Sequence, residues 1–305
     1  MATPSFWRLA EALRVFYHAG MGILQHPASG VLLFRVLQCA FLCCALLWAV
    51  RGDAAPFWLD LEAGLQFASF APSRAKDAAT IDMLRIDPAL FRFSLHSVSA
   101  ESPAPDSLSA WAEQHDLVLA INASMYLPDR KTSTGYLRYG DYVNNPRIHN
   151  KFGAFFMAEP DAPDLPPAAI LDRECDPWEE RLPRYRLVVQ NYRLIDTEGK
   201  ALWLPGGPEH SIAAVGQDRQ GHIFFIHCRT PMTGEAFAAE LLRMPIALRS
   251  LMYVEGGSQA AMLARCPKLH RLWLGQSSIS FLHPPEKETA LPNVLGVQRR
   301  SHENN

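Results

Sequence analysis

The sequence has no long basic run. It carries 29 Lys and Arg against 31 Asp and Glu over 305 residues, a formal net charge of -2. This excludes the extended cationic footprint of a nucleic-acid binder. It also lacks H-E-x-x-H, a P-loop, G-x-S-x-G and the glycine-rich dinucleotide fingerprint. Zincin proteases, P-loop nucleotidases, α/β-hydrolases and Rossmann dehydrogenases therefore have no local signature here. Ser258 follows two glycines without the nucleophile-elbow pattern. No cofactor motif is found, and a divalent metal requirement stays open. No internal repeat points to a solenoid. Of six cysteines, Cys39, Cys43 and Cys44 lie in one apolar run, with no small residue before them of the kind a lipoprotein cleavage box needs. Cys175, Cys228 and Cys266 show no C-x-x-C spacing, and their odd number argues against a disulfide framework. They read as free thiols.

What is present is an ordinary globular composition, 49% hydrophobic and 20% charged. The 23 prolines favour a loop-rich α+β protein over a helical bundle. The expected architecture is a mixed β-sheet core with flanking helices, a single domain after a targeting segment. Val31 to Val50 reads VLLFRVLQCAFLCCALLWAV, with Arg35 its only charge. The stretch from Val36 has the length of a signal-peptide h-region, and the whole run is long enough to cross a bilayer. Arg8, Arg14 and Arg35 on its N-terminal side favour that side in the cytoplasm. Residues 1–55 are accordingly read as a signal peptide or membrane anchor, 56–284 as the domain, and 285–305 as a polar tail that frays. The body is expected outside the cytoplasm, periplasmic or secreted, with membrane contact only through an uncleaved N-terminal segment.

Along the body, Ala79 to Ile86 and Phe91 to Val98 alternate as strands. Leu108 to His115 reads as a short helix capped by Ser107 or Asp106. Leu117 to Asn122 and Leu251 to Val254 are continuous apolar runs, hence buried strands. Phe152 to Ala158 and Tyr185 to Gln190 are further strands. Ser211 to Gly216 and His222 to Arg229 form a hairpin around DRQG, with Asp218 a turn former. Thr233 to Met244 is an amphipathic helix capped by Thr233 and ended by Pro245. Phe57 to Phe70 reads as a lead-in, Pro128 to Pro146 as a long loop, and Glu159 to Pro183 as an excursion or lid.

Two buried strands stop at a polar residue followed by small ones: LVLAIN-ASMY at Asn122 and LMYV-EGGSQAAM at Glu255. Rigid strands fix such side chains, and small residues after them let a ligand approach the backbone. Gly256 and Gly257 offer N–H groups to an anion if Ser258 to Ala264 begins a helix. The period-two rule puts His227 and Arg229 on one face of the hairpin. A buried guanidinium there wants a carboxylate or phosphate partner.

NASMYLPD (Asn122 to Asp129), KFGAFFMAEP (Lys151 to Pro160), VVQNYRLI (Val188 to Ile195), SIAAVGQDRQGHIFFIHCR (Ser211 to Arg229) and LMYVEGGSQAAML (Leu251 to Leu263) occur in a recognisable order. Together they resemble the phosphodiester glycosidase domain, the family of the lysosomal uncovering enzyme, over roughly Phe57 to Pro284. Bacterial relatives are often described as exopolysaccharide-related. The sequence differs from the commoner motifs in having Glu255 for aspartate, only two glycines after it, and Asn122-Ala123-Ser124-Met125-Tyr126 for an Asn-Gly-Gly stretch. The resemblance implies hydrolysis of a glycosyl phosphodiester in envelope or exported polysaccharide. In that chemistry Glu255 acts near the anomeric carbon, Asn122 orients the sugar or the acid, and His227 moves a proton. Arg229, Lys151, Gly256 and Gly257 would stabilise the phosphate, with Tyr126 and Ser258 beside them on the substrate. Two other readings compete: a non-catalytic polysaccharide-binding or assembly protein on the same fold, and a phosphodiesterase cutting the P–O bond.

Overall fold

The computed structural model describes residues 58–72, 80–276 and 288–300. The chain divides into two compact units, Met1–Ala54 and Ala55–Asn305, and every described residue lies in the second. The apolar run read as a targeting segment lies outside the described residues. Among the described residues, no helix is long and apolar enough to cross a membrane.

The second unit is built mainly of strands. The larger sheet runs in the order β1 (Leu59–Glu62), β2 (Leu65–Phe70), β3 (Ile81–Ile86), β12 (Ile223–Met232), β11 (His210–Asp218), β13 (Leu248–Gly256), β10 (Tyr185–Ile195), β6 (Leu137–Tyr139), β7 (Tyr142–Asn145). β8 (Ala154–Pro160) also pairs with β10, and β9 (Ala168–Asp172) pairs with β8. The smaller sheet runs β15 (Leu269–Leu274), β14 (Ala261–Cys266), β5 (Leu119–Asn122), β16 (Asn293–Arg299), β4 (Phe91–Ser97). Each strand pair in both sheets is antiparallel, as between β11 and β12, β14 and β5, and β16 and β4.

The two sheets share one apolar core. Leu84, Val215, Phe225 and Val254 of the larger sheet belong to the same buried cluster as Phe93, Ile121, Met262 and Leu295 of the smaller. Phe93 meets Phe225 across that core at 6.2 Å between ring centroids. Two helices close the outer faces. α1 (Leu108–Gln114) buries Leu108 and Trp111 against Ala120 and Val294 of the smaller sheet. α3 (Gly234–Arg243) buries Phe237 and Leu241 against Ile212, Phe224 and Ile226 of the larger. A one-turn helix, α2 (Trp178–Arg181), precedes β10. Ser107 and Thr233 cap their helices as their spacing predicts, accepting from Ala110 N and Ala236 N at 3.1 Å. Asp218 organises the DRQG turn, accepting from Gln220 N and His222 N at 2.9 Å.

The expected α+β class, with a mixed sheet and flanking helices, is therefore corrected to a mostly-β architecture of two antiparallel sheets. The strands missed by pattern explain the difference. Phe57 to Phe70 holds the β1–β2 hairpin, Pro128 to Pro146 holds β6 and β7, and Glu159 to Pro183 holds β9. Ser258 to Ala264 does not begin a helix; it becomes a 3-10 turn at Gly257–Gln259 and then β14. The region read as a fraying tail contains β16, which sits between β4 and β5 and buries Val294, Leu295 and Val297. These segments are short or polar, so their partners set their conformation rather than any alternation of their own. Cys175, Cys228 and Cys266 are free thiols, the first exposed and the other two buried.

Candidate active site

The chain passes from one sheet to the other immediately after Glu255. β13 of the larger sheet ends at Gly256, the turn Gly257–Gln259 follows, and β14 of the smaller sheet begins at Ala261. Three sequence-predicted residues meet at this corner. Asn122, at the end of β5, donates from Nδ2 to Gln259 O at 2.9 Å and accepts from Ala261 N at 2.7 Å. His227, on β12, donates from Nε2 to Ala260 O at 3.3 Å. Glu255 enters the corner on β13.

The three differ in what remains free to react. Asn122 is 2% exposed and holds both sides of the corner. His227 is 1% exposed, and burial pushes it down to about 4, so it is neutral at pH 7. Its Nδ1 and the Oδ1 of Asp82, its register partner on β3, are buried without a hydrogen-bond partner. Asp82 Oδ2 accepts from Trp273 Nε1 at 2.7 Å. This geometry makes Asn122 and His227 positioning residues.

Glu255 is different. It is half-buried, and burial pushes its carboxyl up to about 7, only partly opposed by the Gly256 N–H that donates to its Oε1 at 2.9 Å. No ion pair joins it to any described residue. Its charge helps hold both Tyr126 and Tyr253 above the ordinary phenol range, after burial as the main cause for each. A carboxyl near pH 7 among phenols can accept or donate a proton at neutral pH.

Residues around it were not all legible in the sequence. Tyr126, a sequence-predicted substrate residue, donates to Gln259 Oε1 at 2.9 Å, so the NASMY segment reaches the corner through Gln259, which the sequence does not single out. The Tyr253 hydroxyl lies 3.1 Å from His210 Nε2, and burial lowers His210. Gly256 is required by packing, because a Cβ there would sit 2.0 Å from the Tyr253 hydroxyl and 2.5 Å from the His210 ring. Gly257 is required by conformation, with φ +65° and open space around it. The Gly256 N–H is already used by Glu255, and Ser258 lies half-buried in the 3-10 turn. His210, Tyr253 and Gln259 carry no local spacing signal, since strands distant in sequence bring them together.

Lys151 and Arg229 lie elsewhere. Arg229 is exposed and donates to Leu274 O at 3.0 Å. It lies one residue beyond Cys228, the last β12 residue paired with β3, so the expected face carries it past the ladder. Lys151 lines a cleft of about 530 Å³ with Arg173, Glu174, Tyr192, Arg193 and Trp203. Arg193 is neutralised there by Asp172 and by Glu174 at 2.8 Å. Tyr192 is the register partner of Tyr253, and the Trp203 ring lies 5.3 Å from that of Tyr253. An aromatic wall thus connects the Lys151 cleft to the neighbourhood of Glu255.

Comparison with known proteins bears on the family and the fold. The family model described as phosphodiester glycosidase matches residues 115–298, from the end of α1 to β16. No curated protein matches the chain. The fold is similar to the catalytic domain of zebrafish N-acetylglucosamine-1-phosphodiester alpha-N-acetylglucosaminidase, described as auto-inhibited by its pro-peptide. The TM-score is 0.54 at 11% identity, covering 82% of this chain and 86% of that one. It is also similar to a hypothetical protein from Synechocystis, with a TM-score of 0.50 at 12% identity, covering 81% of this chain and 64% of that one.

Proposed function

The chain belongs to the phosphodiester glycosidase family, and from that premise we propose that it hydrolyses a glycosyl phosphodiester in envelope or exported polysaccharide. The observation that carries this reading is Glu255, a half-buried carboxyl pushed up to about 7 at the corner between the sheets. In the proposed reaction a water molecule attacks the anomeric carbon and Glu255 takes its proton. The bond between that carbon and the phosphate oxygen breaks. The electron pair leaves with a phosphate monoester, a stable leaving group that needs little protonation. Tyr126, fixed by Gln259, orients the water or the sugar beside the carboxylate. Tyr192 and Trp203 offer aromatic faces to the apolar side of a sugar ring, and Lys151 supplies positive charge for the phosphate.

Isotope-labelled water distinguishes the bond that is cut. Turnover of a sugar-1-phosphodiester by the purified chain should place the label in the released sugar. Label in the phosphate would mean P–O cleavage. Absence of turnover would favour a polysaccharide-binding role on the same fold.

The proposal includes export. The apolar run from Val31 to Val50, preceded by Arg8 and Arg14, supports a body outside the cytoplasm. A reporter active only outside the cytoplasm should work when fused after Asn305. Activity of a strictly cytoplasmic reporter there would reject it.

A further inference from the structure

We infer that His96, Glu101 and His115 form a binding site for a zinc-type divalent metal ion, separate from the corner that carries Glu255. The three side chains come from different segments: His96 from β4, Glu101 from the loop after it, and His115 from the C-terminal cap of α1. Their donor atoms all lie within 4.8 Å of one another. Glu101 turns one carboxylate oxygen to each imidazole, 3.4 Å from His96 Nδ1 and 2.8 Å from His115 Nε2.

Those separations suit a metal. Zinc bound to nitrogen and oxygen at about 2.0–2.1 Å in a tetrahedron sets neighbouring donors about 3.3 Å apart. Two imidazoles and one carboxylate are a borderline donor set that suits first-row divalent ions over calcium or magnesium. The two rings lie nearly face to face, 3.8 Å between centroids and 31° between planes. The donor atoms of both rings and of the carboxylate thus converge on one small volume.

Each of the three side chains is also fixed by a neighbour. Ser94 Oγ is hydrogen-bonded to His96 Nε2 at 2.9 Å, which leaves Nδ1 for the ion. Gln114 Nε2 donates to Glu101 Oε2 at 2.9 Å. The Trp111 ring stacks on His115, 5.7 Å between centroids and 19° between planes. Side-chain exposures of 11% for His96 and 23% for both Glu101 and His115 leave room for a water in the fourth position.

The location gives the site a structural role. His96 and Asn122 pair with the same residue, Val294 of β16, so they lie in one row of the smaller sheet, two strands and about 10 Å apart. The ion would fasten edge strand β4 to the end of α1. His96 and Glu101 precede the region matched by the family model, which begins at residue 115.

The test uses the full chain stripped by a chelator and titrated with zinc alone, followed by calorimetry and melting. The expected result is binding of one ion per chain with Kd of about 1 μM or tighter, and a higher melting temperature in zinc excess. Cobalt substituted for zinc should show the intense visible bands of a low-coordinate nitrogen and oxygen site. Glu101→Gln and His115→Gln should lose the binding and the cobalt bands while keeping the wild-type circular dichroism. Absence of stoichiometric zinc binding by the wild-type chain overturns the inference, and so does unchanged binding in both folded variants. Turnover of a sugar phosphodiester is no part of this readout, so the site stands or falls apart from the proposed hydrolysis.

Discussion

Asn122 grips the peptide on either side of Ala260, its Nδ2 on Gln259 O at 2.9 Å and its Oδ1 on Ala261 N at 2.7 Å. One side chain on the smaller sheet therefore sets where the chain leaves the larger sheet, and so fixes Gln259 and its partner Tyr126. Asn122→Ala would leave a carbonyl and an N–H unpaired at a position 2% exposed. An unsatisfied buried group costs about 1–3 kcal/mol. The variant should lose stability on that scale and also lose turnover, because the corner shifts. Asn122→Asp keeps the acceptor for Ala261 N but sets a carboxylate against Gln259 O, and it should be no better. Melting and turnover measured on one sample decide the matter. A variant with full stability and no activity would mean that Asn122 touches substrate rather than the corner.

Gly256 and Gly257 should respond differently to alanine. At Gly256 the backbone is extended, and the added methyl would strike the Tyr253 hydroxyl and the His210 ring. Overpacking of this kind costs about 1–3 kcal/mol, and it would break the 3.1 Å contact between Tyr253 and His210. At Gly257 nothing lies within 4 Å, but φ is +65°. The cost there is left-handed strain of about 1–2 kcal/mol, and asparagine, which tolerates that region, should recover part of it. Recovery by asparagine at Gly256, or equal losses for alanine and asparagine at Gly257, would contradict this division.

How far the sequence revealed the site follows from where each signal is stored. β4, α1, the β11–β12 hairpin and α3 announce themselves through alternation, the Ser107 and Thr233 caps and the DRQG turn, all local features. β6, β7, β9 and β16 take their conformation from neighbouring strands, so residues such as Asn144 or Asn293 look like loop. Asn122 and Glu255 stood out because an apolar strand stops at each, and the structure brings both to one corner. Period two puts Arg229 on one face with His227, yet β12 outruns its partner β3 there, and that face opens to solvent. The Tyr253–His210 pair joins β13 to β11, a relationship that no spacing within either strand encodes.

Glu255 gives the prediction with the clearest sign. Its carboxyl is raised from 4.5 to about 7 in the folded chain. Between these values the unfolded chain releases the proton while the folded chain keeps it, so stability falls as pH rises. The slope is about 1.4 kcal/mol per pH unit for a single group. Below 4.5 both states are protonated and Glu255 contributes nothing; above about 7 the full cost of the buried charge is present. Glu255→Gln removes this cost. The variant should match the wild type in acid and become progressively more stable than it between pH 4.5 and 7, with a constant advantage beyond. If Glu255 is also the base of the reaction, its carboxylate form is the active one. Wild-type kcat/KM should then rise with pH through about 7, and the variant should lose about 10²–10⁴-fold in turnover together with that rising limb. A variant that is destabilised at neutral pH would point instead to a structural charge partner for Glu255. One that keeps the wild-type rate and pH profile would remove Glu255 from the chemistry.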